Sequence, residues 1–115
     1  MDYQQFSVIS RLDGMRYDCR FHTLATGISP RHSDTVDVKF LVNGRPVIIA
    51  IPHAALTQYR RRTARPLTDA EIIQMAGLFL NAQLEKEGLG QEKMMGPSPE
   101  ETIELAGEIH ALVGN

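Results

Sequence analysis

The sequence predicts an α+β domain in which a four-stranded antiparallel sheet, made of two β-hairpins, is followed by three helices packed on one face. Asp13-Gly14 and Asn43-Gly44 each stand between segments of alternating apolar and polar residues, which is typical of two-residue hairpins. Two later segments begin with Ser or Thr and carry Glu three residues on, which is typical of helix starts. We therefore expect strands within 1–51 and helices within 52–115, in a single domain, because 115 residues leave room for only one.

The first hairpin is predicted around Asp13-Gly14, because a type I′ turn needs a positive φ at both of its central residues. A two-residue turn at this place pairs Leu12 with Met15 and gives the hairpin one nearly continuous apolar face. Cys19 belongs to that face, and we interpret it as a buried, unreactive thiol. The segment 24–34 contains Gly, Pro and Ser and is predicted to be a surface loop.

The second hairpin is predicted around Asn43-Gly44, with 36–42 paired to 47–51. Its last strand carries Ile48 and Ala50 on one side and further apolar residues on the other. We therefore expect this strand to lie inside the sheet or to be covered on both faces. The residues predicted to share the apolar face of the hairpin are Val36, Val38, Phe40, Val42, Val47, Ile49 and Ile51.

Three helices are predicted in the second half of the chain, at 52–62, 69–87 and 99–113. The middle helix has the clearest beginning, because Thr68 and Glu71 have the spacing of a capping box. The segment between the second and third helices is rich in glycine and is predicted to be a link without regular structure.

The middle helix has an unusually wide apolar surface, spread over an arc of about 200°, whereas a helix covered on one side needs only about 100°. Gly77 inside this helix predicts the close approach of another backbone. Because one sheet cannot cover such an arc, we expect a homodimer. The residues predicted to lie in its interface are Ile72, Met75, Phe79, Glu100, Glu104 and Glu108.

The net charge of −2 conceals two oppositely charged halves. Residues 1–66 contain ten Lys and Arg against five acidic residues, and residues 67–115 contain two Lys against nine acidic residues. Such an asymmetry bears on solubility and on the choice of partner, not on the fold.

A basic cluster stands at the end of the first predicted helix. Arginine binds phosphate groups in a forked geometry and an aromatic ring can stack on bases, so the cluster is a candidate for anion or nucleic-acid binding. Two further interpretations stay open: a solvated helix end, or pairing within or between subunits with the acidic ridge of the last helix, formed by Glu100, Glu104 and Glu108. The candidate residues are His53, Tyr59, Arg60, Arg61, Arg62 and Arg65.

His53 follows directly on the last strand, near a helix start, where free N–H groups favour anions. A cavity between the sheet and the helices, near His53 and the segment 24–34, is therefore predicted by the hypothesis of a small-ligand enzyme or sensor. His110 lies at the border of the apolar stripe of the last helix and is interpreted as a boundary residue.

No short catalytic or nucleotide-binding motif is present, and no Cys or His residues have the spacing of a zinc site, so we expect no cofactor and no metal. The chain shows neither a signal-peptide pattern nor an apolar run long enough for a membrane span, which predicts a cytoplasmic location. Together these features favour a small non-enzymatic binding or regulatory protein that acts as a homodimer. The alternatives are a nucleic-acid-associated protein and a small-ligand enzyme or sensor.

Overall fold

The structure is a computed structural model that describes residues 2–27, 35–91 and 93–113. It is an α+β fold with a five-stranded sheet and three helices, so the predicted fold class is confirmed. The strands are β1 (Gln5–Ile9), β2 (Arg16–Gly27), β3 (Thr35–Val42), β4 (Arg45–Pro52) and β5 (Met94–Met95), and the helices are α1 (His53–Thr63), α2 (Asp69–Glu87) and α3 (Pro99–Val113).

The order of the strands in the sheet is their order in the chain, β1-β2-β3-β4-β5. The first four pair antiparallel, and β5 adds a fifth strand parallel to β4. This short strand was not predicted, because two residues are too few to show an alternating pattern. Gly96 lets the chain run close beside β4, since a Cβ at this position would collide with the carbonyl oxygen of Ala50.

The second hairpin has the predicted register, with Val42 opposite Arg45. Asn43 and Gly44 both adopt a positive φ, as a type I′ turn requires. All seven residues predicted for its apolar face are buried, and β4 lies inside the sheet between β3 and β5, as expected.

The first hairpin differs from the prediction, because its register is shifted by two residues and Val8 pairs with Tyr17. Asp13 does not adopt a positive φ, so the two-residue turn does not form. A shift of two residues keeps every side chain on its predicted face, so the face of the hairpin toward the core remains apolar. Only Leu12 and Met15 leave the predicted core, with 73% and 54% of their surface exposed.

The wider turn is fixed by side chains and by the end of α2. Ser10 accepts a hydrogen bond from the N–H of Leu12 through its hydroxyl group at 3.1 Å, and the Tyr17 hydroxyl group donates to Asp13 at 2.9 Å. The N–H of Arg11 donates to the carbonyl oxygen of Glu85 at 2.8 Å. Two local bonds and one long-range bond thus replace the predicted type I′ turn.

The predicted loop at 24–34 is wrong for its first four residues, because β2 continues to Gly27. The pairing of β2 with β3 shifts by one residue at His22, and this irregularity keeps Leu24 packed against the core. The rest of that segment, 28–34, lies outside the described residues.

The helices have the predicted positions, to within one residue for α1. Both capping boxes form: Thr68 with Glu71 at the start of α2, and Ser98 with Glu101 at the start of α3. Helix α2 packs across β1, β2 and β4, while α3 packs against α1, α2 and β4.

The wide apolar arc of α2 is covered by the chain itself. Ile72, Met75 and Phe79 are 7%, 0% and 7% exposed, because the sheet and α3 both pack on this helix. The carbonyl oxygen of Tyr3 leaves no room for a Cβ at position 77, which confirms the close backbone approach predicted for Gly77. The sheet thus covers one part of the apolar arc of α2, and α3 covers the rest without a partner subunit.

Candidate functional site

Helix α1 carries polar side chains on two of its sides. Tyr59 contacts α3, whereas His53, Thr57 and Arg60 recur at intervals of four and three residues and line a cavity on another side. The polar side chains of α1 therefore belong to two separate clusters. One cluster is buried, and the other lies at an open cavity.

The closed cluster, here called the buried polar cluster, consists of Tyr59, His110 and Glu71. The Tyr59 hydroxyl oxygen lies 2.7 Å from Nδ1 of His110, and Nε2 of His110 lies 3.0 Å from Oε2 of Glu71. Tyr59 is 7% exposed and His110 is 5% exposed. One residue comes from each helix, so the cluster joins all three.

The hydrogen bonds of the cluster depend on the ionised state of Glu71. Partial burial by itself raises the pKa of Glu71, but hydrogen bonds from the N–H and hydroxyl groups of Thr68, with the attraction of His110 and Arg65, outweigh burial and hold the pKa below its ordinary value. An ionised Glu71 only accepts hydrogen bonds, so Nε2 of His110 donates to it, and Nδ1 of His110 forms a second hydrogen bond with the Tyr59 hydroxyl group. In this arrangement every polar atom of the cluster is paired.

Sequence reasoning missed this cluster. It interpreted His110 as a boundary residue, treated Glu71 only as part of a capping box, and considered Tyr59 as a candidate ring for stacking on bases. The available signal was that Tyr59 and His110 each border the apolar stripe of their helix, where a buried polar tip needs a partner. Tyr59 is in fact buried against His110 and has no free face on which a base could stack.

The open cluster surrounds a cavity of about 260 Å³ between the sheet, α1 and the start of α2. A cavity near His53 was predicted between the sheet and the helices, and the structure has one there. Its floor is apolar, since Val36, Leu56 and Ile72 are buried. The residues that line it are Leu24, Val36, His53, Leu56, Thr57, Arg60, Pro66, Leu67, Asp69 and Ile72.

Four polar side chains lie around this cavity. Within the described part of the chain, His53, Thr57, Arg60 and Asp69 have no side-chain hydrogen bond or ion pair. Arg60 and Asp69 bring opposite charges to the same opening, and both are exposed. The cavity therefore combines an apolar floor with donors and acceptors that form no bond to any described residue.

The structure disperses the predicted basic cluster. Arg60 reaches the cavity, and Arg62 lines a groove of about 300 Å³ between α1 and α3 together with Glu100 and Glu104. Arg65 is close enough to Glu71 to lower the pKa of that carboxyl group. All the arginines in the cluster are exposed, but they face in different directions.

The predicted acidic ridge, Glu100, Glu104 and Glu108, lies exposed along α3. On its other side a groove of about 200 Å³ separates α3 from α2, with an apolar floor and an acidic rim. Among the described residues, no ion pair joins this ridge to the arginines of α1. The groove is lined by Leu78, Phe79, Ala82, Gln83, Glu101, Glu104, Leu105 and Glu108.

The six predicted interface residues do not lie on one surface. Met75 is completely buried in the core and Ile72 contributes to the cavity floor. Phe79 reaches the groove between α2 and α3, beside Glu104 and Glu108. Of the predicted set, Glu100, Glu104 and Glu108 are exposed, whereas Ile72, Met75 and Phe79 are buried.

Cys19 is buried, as predicted, and burial together with the charge of Asp18 raises the pKa of its thiol group to about 12. The described residues contain no group of three or more His, Cys, Asp or Glu that could hold a metal ion. Of the helices in the described ranges, none is both long enough and apolar enough to cross a membrane.

Comparison with known proteins finds no family model, no curated protein and no solved structure that matches this chain.

Proposed function

We propose that the protein is a small non-enzymatic binding protein that acts as a homodimer, in which the acidic ridge of each copy contacts the arginines of α1 in the other. The observation that carries the proposal is that Arg62 shares a groove with Glu100 and Glu104 without an ion pair to either. Both charge groups are exposed and lie on neighbouring helices.

A two-fold axis beside α3 suits this arrangement, because a symmetric contact uses the same surface patch twice. Arg61 and Arg62 of one copy then approach Glu104 and Glu108 of the other, and the reverse contact forms at the same time. Charge complementarity sets the orientation and the rate of such an encounter. The apolar floor between α2 and α3, with Leu78 and Leu105 half-buried, supplies surface that gains from leaving water.

Sedimentation velocity at micromolar concentration tests the proposal. We expect a dimer that weakens as salt is added, because the charged contacts are exposed. Arg61→Glu with Arg62→Glu should weaken dimerisation by about a hundredfold or more, since each substitution acts twice and creates like-charge contacts. Glu104→Arg with Glu108→Arg should do the same.

Mixing these two double variants provides the decisive measurement. In the mixed dimer, one contact pairs the new glutamates with the new arginines and the other pairs native residues, so dimerisation should return. Arg20→Glu with Lys39→Glu, the same total charge change as Arg61→Glu with Arg62→Glu but placed on the sheet, should leave assembly unchanged. A protein that sediments as a monomer throughout, or variants that fail to complement each other, would contradict the proposal.

A nucleic-acid-associated protein remains the alternative that the exposed arginines of α1 support. It is less favoured because the Tyr59 ring is buried and the acidic ridge of α3 lies beside Arg62. We further propose a cytoplasmic location, supported by the single cysteine of the chain, which the structure leaves unpaired.

A further inference from the structure

We infer that the cavity between α1 and the start of α2 is a binding site for a small apolar α-amino acid. The inference is independent of the proposed dimer, because the cavity uses neither Arg61, Arg62 nor any residue of α3.

The charges at the opening of the cavity define the head group of the ligand. Arg60 is a permanent cation whose planar guanidinium group matches a carboxylate. Asp69 lines the same opening and offers carboxylate oxygens to an ammonium group. One positive and one negative side chain, both unpaired in the described chain, complement a zwitterion better than an ion of a single sign.

Hydrogen-bond donors on α1 support the placement of the carboxylate beside that helix. Thr57 stands one turn before Arg60 and His53 stands one turn before Thr57, so all three side chains share the face that lines the cavity. A carboxylate held by Arg60 lies within the region where Thr57 can also donate, while the ammonium group faces α2.

The floor of the cavity defines the rest of the ligand. Val36, Leu56 and Ile72 are buried apolar side chains, and Leu24 adds a half-buried one. At about 260 Å³ the cavity falls just below the range of about 300–1,000 Å³ typical of drug-sized ligands. A short branched aliphatic side chain suits such a floor, so L-leucine is the appropriate probe.

Titration of the full chain with L-leucine, followed by ¹H–¹⁵N correlation spectra, measures both the affinity and the place of binding. We expect saturable shifts at residues of the cavity such as Leu56 and Ile72. Two analogues separate the recognition of each charge: 4-methylpentanoate lacks the ammonium group and isoamylamine lacks the carboxylate. Each should bind about tenfold or more weakly than L-leucine, because a charged hydrogen bond is lost.

Three substitutions of exposed side chains assign the contacts. Arg60→Gln should lower the affinity for L-leucine about tenfold or more, while the matched control Arg20→Gln, an exposed arginine on β2 outside the cavity, should leave it unchanged. Asp69→Asn should remove the preference for L-leucine over 4-methylpentanoate. The inference is overturned if L-leucine causes no saturable shifts, if isoamylamine binds equally well, or if Arg60→Gln and Arg20→Gln behave alike.

Discussion

The buried polar cluster and the cavity lie on two sides of the same short helix, and they differ in how their polar atoms are satisfied. In the cluster, Tyr59, His110 and Glu71 pair with one another, and Tyr59 and His110 are buried. At the cavity, Arg60 and Asp69 have no partner in the described chain. A closed, fully paired network indicates a structural role, whereas a cavity with an apolar floor and a few polar groups at its opening is typical of a binding site.

The largest loss of stability is expected when His110 is replaced. His110→Leu leaves the Tyr59 hydroxyl group and the Glu71 carboxylate without their shared partner in a buried place, and should lower the free energy of unfolding by about 3 kcal/mol. Urea denaturation measures the loss. His53→Leu, the corresponding change at the cavity, should alter stability by less than about 0.5 kcal/mol. Equal losses would show that the two regions do not differ in the way described.

A smaller effect is expected from removing one hydroxyl group on each side of α1. Tyr59→Phe leaves Nδ1 of His110 unpaired and should cost about 1–2 kcal/mol. Thr57→Val removes a hydroxyl group that bonds to no described residue, so it should cost nothing measurable or slightly stabilise the fold. Thermal unfolding of the two variants beside the parent protein makes the comparison, and a greater loss in Thr57→Val would reverse the assignment.

The smallest effect concerns acid stability. The pKa of Glu71 is lower in the folded protein than its ordinary value, so its contribution to stability is present above that ordinary value and is lost as the pH falls through the folded pKa. Glu71→Gln should therefore flatten the acid side of the stability profile, measured by urea denaturation at a series of pH values. The profile will not become flat, because the pKa values of Asp2, Asp13 and Asp18 are also lowered by hydrogen bonds. An unchanged slope would contradict the role given to Glu71.

Local signals in the sequence predicted most of the fold. The second hairpin and α2 were predicted with the observed register and bounds, because Asn43-Gly44 and the Thr68 capping box act through neighbouring residues. The first hairpin deviated because its turn depends on Ser10 and on the contact with Glu85, which lies far along the chain. Periodicity carries no information about such distant partners.

The candidate sites were less predictable than the fold, because they also depend on residues that are distant in sequence. The cavity followed from the place of His53 between a strand and a helix, but the approach of Asp69 from α2 depends on tertiary packing. Tyr59 and His110 each border the apolar stripe of their helix, but their contact across 51 positions depends on how the helices pack. The width of the apolar arc was read correctly from the sequence, yet whether α3 or a second subunit covers it is decided only by the complete fold.

The chain order of the sheet has a consequence for synthesis on the ribosome. Every strand from β1 to β4 is made before any helix, so the nascent chain can pair them while Val38, Phe40 and Ile49 still face water. The interval until α3 has been translated is roughly 3–12 s at ~5–20 residues per second. During that time the emerging sheet is the kind of surface that chaperones bind.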